Sequence, residues 1–181
     1  MSGPRLLVLT GPAAAGKTTL AARLADDLGW PCFGRDTFKD AAMAHLGWPD
    51  AEGHRLLGAL AHAHLDTVIE ELLRRRVSAI AEAPFVPAIF SPTLRRWRED
   101  HGVDVRQIVL QADPSALERR FLERAARDTP EHDLAPHLAG LRERHWTVPF
   151  EPMDVEGPVL LLDTTDPATV AYDRVLSFAS T

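Results

Sequence analysis

The sequence predicts an α/β fold: a five-stranded parallel sheet with helices on both faces. Three observations carry the prediction. Short apolar runs of strand length alternate with longer stretches of helical period. The first apolar run feeds a glycine-rich turn and then a helix, the layout of a buried parallel strand. Two Asp-Pro pairs, Asp113-Pro114 and Asp166-Pro167, each follow an apolar run and supply a helix cap and a first-turn residue.

Taken in order, Arg5–Thr10 (RLLVLT) is the first strand. A helix follows from Lys17 to about Gly29, with Leu20, Leu24 and Leu28 on one face. Trp30–Gly34 is a brief second strand. A helix starts near Asp36 and fades at Gly47-Trp48-Pro49. Another runs from about Ala51 to Arg76, with Leu57, Leu60, Leu65, Val68, Ile69 and Leu72 as its apolar face. Val77–Ala83 is a strand stopped by Pro84, Ser91–His101 a helix, Val105–Ala112 a strand and 114–127 a helix. Pro158–Thr164 is the last strand, and Asp166-Pro167 opens the last helix. Residues 128–140 and 147–158, rich in Pro, Asp, Glu and His, are expected as mobile loops.

The chain has 181 residues, enough for one domain. A helical segment at about 36–76 is expected to face the substrate, and a lid at about 118–140 to cover it. The net charge of −6 disfavours a nucleic-acid partner. Cys32 is the single cysteine, so no internal disulfide forms, and a buried packing role is expected for it. No stretch approaches the ~20 apolar residues of a membrane span. The N-terminal layout is not that of a signal peptide, so a cytoplasmic location is expected.

Residues 11–19 carry the chemistry. Gly11, Gly16, Lys17 and Thr18 meet the pattern G-x-x-x-x-G-K-S/T, a phosphate cradle or P-loop. Glycines let successive N–H groups converge on one point, and the following helix adds its own N-terminal donors. Pro12, Ala13, Ala14 and Ala15 are small enough to leave the cradle open, and Thr19 follows in the helix. Lys17 is expected to reach the β- and γ-phosphates of ATP, and the Thr18 hydroxyl to ligate Mg²⁺. The motif lies between a strand and a helix, as a P-loop NTPase fold requires.

The chain contains no asparagine, so the Asn-Lys-x-Asp segment of a guanine switch is missing. The strand at 78–83 ends in one acid, Glu82, where a ring-forming motor would carry a pair. A compact phosphotransferase remains. Residues 32–43 sharpen this: Cys-Phe-Gly-Arg-Asp-Thr resembles the F-G-x-D-S/T segment of chloramphenicol phosphotransferase. More loosely, it resembles the acid-bearing segment of polynucleotide kinases and zeta toxins. The resemblance implies that Asp36 is the base for an acceptor hydroxyl. It also points toward antibiotic resistance or self-protection.

Asp36 is a candidate base from chemistry alone. Phosphoryl transfer needs a carboxylate to orient the hydroxyl and cations on the phosphates. The competing role is a cap for the helix that follows. Arg35 and Lys39 flank it and could hold the acceptor. Glu82 could support Mg²⁺ or accept a hydrogen bond from substrate. Arg120, Arg124 and Arg127 lie near one helix face. In kinases similar to this chain, arginines here close over the nucleotide, and Arg124 and then Arg120 are the expected lid residues. The competing reading is a solvated face of ion pairs. Thr164 and Thr165 could contact adenine or merely start the final helix. Asp128-Thr-Pro-Glu-His132 departs from the glycine-and-arginine lid of chloramphenicol phosphotransferase.

Few cations line 36–70, which disfavours a phosphorylated acceptor. His54, Gly58 and His62 are spaced to frame a pocket or a close helix contact. Trp48, Phe85 and Phe90 could add apolar walls, while Trp30, Trp97 and Trp146 are expected to pack. The expected activity is ATP- and Mg²⁺-dependent phosphorylation of a hydroxyl on a small molecule. The alternatives are a polynucleotide or nucleotide-sugar kinase of zeta-toxin type, or a nucleotide-dependent switch without transfer.

Overall fold

A computed structural model describes residues 3–47, 50–128 and 135–181. Trp48 and most of the Asp128–His132 segment therefore lie outside the described residues. Five parallel strands form one sheet: β1 Arg5–Thr10, β2 Cys32–Gly34, β3 Ala79–Glu82, β4 Asp104–Gln111 and β5 Val159–Asp163. Their spatial order is β2-β3-β1-β4-β5. The helices are α1 Lys17–Leu28, α2 Arg35–Leu46, α3 Ala51–Arg74, α4 Pro87–His101, α5 Pro114–Asp128, α6 Ala135–Leu141 and α7 Tyr172–Ser180. Among the described residues no helix is long and apolar enough to cross a membrane.

The central strands β1, β3 and β4 are apolar because both faces are covered. On one face Leu65, Ile69, Leu94 and Trp97 from α3 and α4 pack on Leu6, Val8, Ala79 and Val105. On the other, Ala21, Leu24, Leu117, Phe121 and Val175 pack on Leu7, Leu9, Ile80 and Ile108. β1 is central, and its connections run to one side of the sheet while those from β3 cross to the other. Its carboxyl end is the crevice where open α/β sheets bind ligands.

Several boundaries differ from the sequence reading, each for a local reason. Helix α4 starts at Pro87 rather than Ser91. Pro87 occupies the first turn, where a missing N–H costs nothing. Pro92 is then tolerated one turn later, where buried Phe90 anchors the helix. Asp166 does cap a turn, accepting from the Ala168 N–H at 3.0 Å, but the turn is a single 3₁₀ turn. The chain becomes extended at Val170, and α7 begins only at Tyr172. The segment 128–140 is not all loop, because α6 occupies Ala135–Leu141 and runs into a π-helical turn, Arg142–Trp146.

The apolar face of α3 also shifts. Ala61, Leu65, Ile69 and Leu73 are buried, whereas Leu56 and Leu60 are more than 60% exposed. The N-terminal half of α3 reaches beyond the sheet and packs on α2, which itself has no fully buried residue. Gly58 meets nothing where a Cβ would stand, so the close helix contact expected around it is not formed. Cys32 is only half-buried; burial pushes its thiol up to about 11, with Glu82 adding to the effect.

Candidate active site

The cradle follows β1 directly. Gly11 and Gly16 adopt positive φ angles of 148° and 92°, and Ala14 is left-handed at 67°. An alanine held there carries strain of order 1 kcal/mol or more. Neighbours hold the loop from outside. The Thr164 hydroxyl donates to the Ala15 carbonyl at 3.0 Å, and the Trp146 indole N–H donates to the Ala13 carbonyl at 3.2 Å.

Lys17 is 8% exposed and folds back on the loop. Its Nζ donates to the carbonyls of Gly11 at 3.1 Å and Pro12 at 2.9 Å. Burial lowers its pKa to about 8, although Glu82 and Asp36 pull the other way. Anionic phosphates favour the charged ammonium, so nucleotide binding near pH 8 should take up protons. Calorimetry at pH 8 in buffers of different ionisation enthalpy should reveal uptake of about half a proton per nucleotide. Equal heats in all buffers would contradict a titrating Lys17.

Thr18 Oγ1 donates to Glu82 Oε1 at 3.1 Å, which joins the first turn of α1 to the end of β3. Glu82 is 5% exposed, and burial pushes its carboxyl above the usual range. Its carboxylate lies over the end of β2: a Cβ on Gly34 would stand 2.3 Å from Glu82 Oε1. Gly34→Ala should therefore displace the carboxylate from Thr18 at a cost of about 1–3 kcal/mol. Any catalytic role of that pair then predicts a larger loss in kcat than in nucleotide affinity. Steady-state kinetics beside a binding titration separates the two.

Asp36 sits in the first turn of α2, with 58% of its side chain exposed at the mouth of the cleft. Arg35 pairs with it at 2.7 Å. Desolvation opposes ionisation of Asp36, but Arg35, Lys17 and Lys39 outweigh it and hold the carboxyl below its usual value. It makes no side-chain cap bond, because α2 is capped by Gly34.

One cavity of about 240 Å³ gathers Ala13, Gly16, Lys17, Thr18, Asp36 and Glu82, and Arg120 and Arg124 from α5 close its far side. Arg124 is exposed and stands over the Phe121 ring at 5.8 Å. Arg120 Nη2 donates to the carbonyls of Thr164 and Thr165, 2.7 Å each. Arg127 is exposed and outside the cavity lining.

Other expected residues fall elsewhere. The Thr164 hydroxyl is buried and engaged with the carbonyls of Ala15 and Gln111. Thr165 Oγ1 accepts from the Asp113 N–H. Where the sequence offered adenine contacts, the Thr164 hydroxyl braces the cradle and the Thr165 hydroxyl meets the backbone just before α5. Phe85 is 1% exposed and stacks on Phe90 at 4.0 Å, so neither ring offers the open wall expected. His62 lies near the Phe85 ring at 6.0 Å, and burial, then Arg35, lowers its pKa. His54 is partly exposed, and burial, then Lys39, lowers its pKa. Lys39 is half-buried one turn beyond Asp36. The sequence offered no signal for Trp146 as a brace on the cradle. Gly34, inside the Phe-Gly-Arg-Asp segment, was the legible hint of a close approach.

The profile of the AAA domain family matches residues 6–144. No curated protein matches the chain. Among solved structures it is similar to a provisionally assigned kinase from Chloroflexus aurantiacus, with 29% identity and a TM-score of 0.88 over 98% of this chain and 94% of that one. A sugar kinase from Janibacter is 20% identical, with a TM-score of 0.62 over 97% and 94%. The APS kinase CysC of Mycobacterium tuberculosis, solved with AMPPNP and APS, is 18% identical, with a TM-score of 0.62 over the full length of both chains. The last two likenesses concern the fold.

Proposed function

The chain belongs to the AAA domain family, and we propose that it is an ATP- and Mg²⁺-dependent kinase that phosphorylates a hydroxyl of a small molecule. The observation that carries this reading is the single cavity in which Lys17, Thr18, Asp36, Glu82, Arg120 and Arg124 meet. It holds a phosphate cradle, a hydroxyl–carboxylate pair, one carboxylate at the mouth and two mobile-length cations.

In this reading the acceptor hydroxyl attacks the γ-phosphorus, the bond from that phosphorus to the β,γ-bridging oxygen breaks, and ADP leaves. Asp36 orients the hydroxyl and takes its proton. Its depressed pKa keeps it ionised but makes it a weak base, which suits a loose transition state in which the proton moves late. Lys17 leaves the loop carbonyls for the phosphates. Arg124, exposed on α5, is placed to swing onto the transferred group. Arg120 is placed to exchange its carbonyl partners for the nucleotide.

Thr18 and Glu82 present hard oxygen donors 3.1 Å apart, a set that fits Mg²⁺. Bound there, Mg²⁺ would neutralise phosphate charge. Arg35, Lys39, His54 and His62 form the proposed acceptor side around Asp36, and the location is proposed to be cytoplasmic.

Mass spectrometry tests the reading directly. Hydroxylated metabolites and antibiotics are incubated with the protein, ATP and Mg²⁺, and at least one should gain a phosphate with matching ADP release. Nucleotide binding without ADP formation across a broad panel would instead indicate a switch.

A further inference from the structure

A second cavity, of about 170 Å³, lies against the other flank of the cradle. Its walls include Pro12, Gln111, Trp146, Val148, Pro149 and Phe150. We infer that this cavity binds an uncharged six-membered ring of a small molecule, and that its occupant is coupled to nucleotide in the cradle. The coupling to a kinase acceptor rests on the function proposed above; ring binding itself does not.

The lining sets the chemistry. Two proline rings and a phenyl ring supply flat apolar faces beside the edge of the indole, and among the described residues no ionisable side chain lines the cavity. Such walls reject a charged group, which would lose hydration without a partner. The Thr147 hydroxyl in the lining already donates to the Glu143 carbonyl at 2.9 Å, whereas the Gln111 amide Nε2 reaches the Phe150 carbonyl only at 3.5 Å. It is available for one polar substituent. The volume is on the scale of one ring, in a depression that opens to solvent at Val148.

The coupling follows from a shared wall. Pro12 borders this cavity and Ala13 borders the phosphate cleft, so consecutive residues of one loop face the two spaces. Trp146 lines the ring cavity and bonds the Ala13 carbonyl. Its indole is 5% exposed, meets Phe121 edge-on at 5.9 Å, and is presented by a π-helical turn, a local irregularity that re-aims side chains. A ring against Trp146 therefore biases the same peptide that cradles phosphate, and nucleotide must bias ring affinity equally.

The test uses the full chain, ¹⁵N-labelled, with benzyl alcohol as the ring probe and glycerol as the ring-free control. The Trp146 indole resonance, assigned by its loss in Trp146→Phe, should shift saturably with benzyl alcohol and not with glycerol. The series Val148→Leu, Val148→Phe and Val148→Trp fills the mouth progressively, from a position already 59% exposed. With thermal midpoints unchanged, ring affinity should fall stepwise, by about tenfold or more at Trp, a loss of about 1.4 kcal/mol. Should Val148→Trp fail to fold, the Leu and Phe variants still read the trend. No saturable shift in the wild type, or equal shifts across the series, overturns the site.

Adding ATP and Mg²⁺ distinguishes the sources of the ring. Phosphorylated benzyl alcohol makes the ring part of an acceptor. No product with an altered AMPPNP affinity makes it a separate effector. An unchanged AMPPNP affinity at saturating ring overturns the coupling. Binding is read without turnover, so failure of the kinase reading leaves this result intact.

Discussion

Lys17→Ala is expected to lower phosphoryl transfer by about 10²–10³-fold or more, the scale for removing one preorganised donor from a developing anion. Among the described residues the lysine is the one buried ammonium of the cavity, and its hydrogen-bond partners are neutral carbonyls. Those bonds are replaceable by water once the side chain is shortened, so the fold should survive. Nucleotide affinity should fall with turnover, because the same charge meets the phosphates in ground and transition states. Coupled ADP release and calorimetric titration measure the two losses. Turnover near the wild-type rate would mean that the cradle does not hold the reacting phosphates.

Asp36→Asn is expected to separate what Lys17→Ala joins. The amide keeps the shape but cannot take a proton, so kcat should fall by about 10²–10⁴-fold. Nucleotide affinity should move little, because Asp36 stands at the mouth of the cleft and pairs with Arg35. The pH profile adds an independent readout. Asp36 is held below its usual value, so its ionised, active form persists as pH falls through the ordinary carboxylate range. The wild type should therefore show no Asp36-dependent acid limb near the reference value of about 3.9; its loss would begin lower. Full turnover in the variant would remove Asp36 from the chemistry and return it to a helix-start residue.

The phosphate cradle was legible because its physics is local. A strand, a small-residue loop and a helix start lie within fifteen residues, and the glycines adopt the positive φ angles that their type suggests. The parallel sheet was legible because apolar strands alternate with helices. The proposed acceptor wall was not. The face of α3 follows from where the sheet ends, and its own periodicity is silent on that, so Leu60 reads as core but lies exposed. Thr164 illustrates a second limit. A hydroxyl one residue past a strand looks the same whether it meets a ligand or, as here, two carbonyls remote in sequence. Trp146 lies 133 residues from the carbonyl it holds, a pairing that no short-range pattern encodes.

The Thr164 brace gives ligand binding an order in time. The cradle lies at residues 11–19, yet the hydroxyl that steadies it arrives with the last strand, 149 residues after Ala15. During synthesis the loop leaves the ribosome well before β5 but stays unfinished until β5 docks beside β4. ATP added to stalled nascent chains should thus protect only those long enough to expose β5, and a nucleotide in the cradle would report that the sheet has closed.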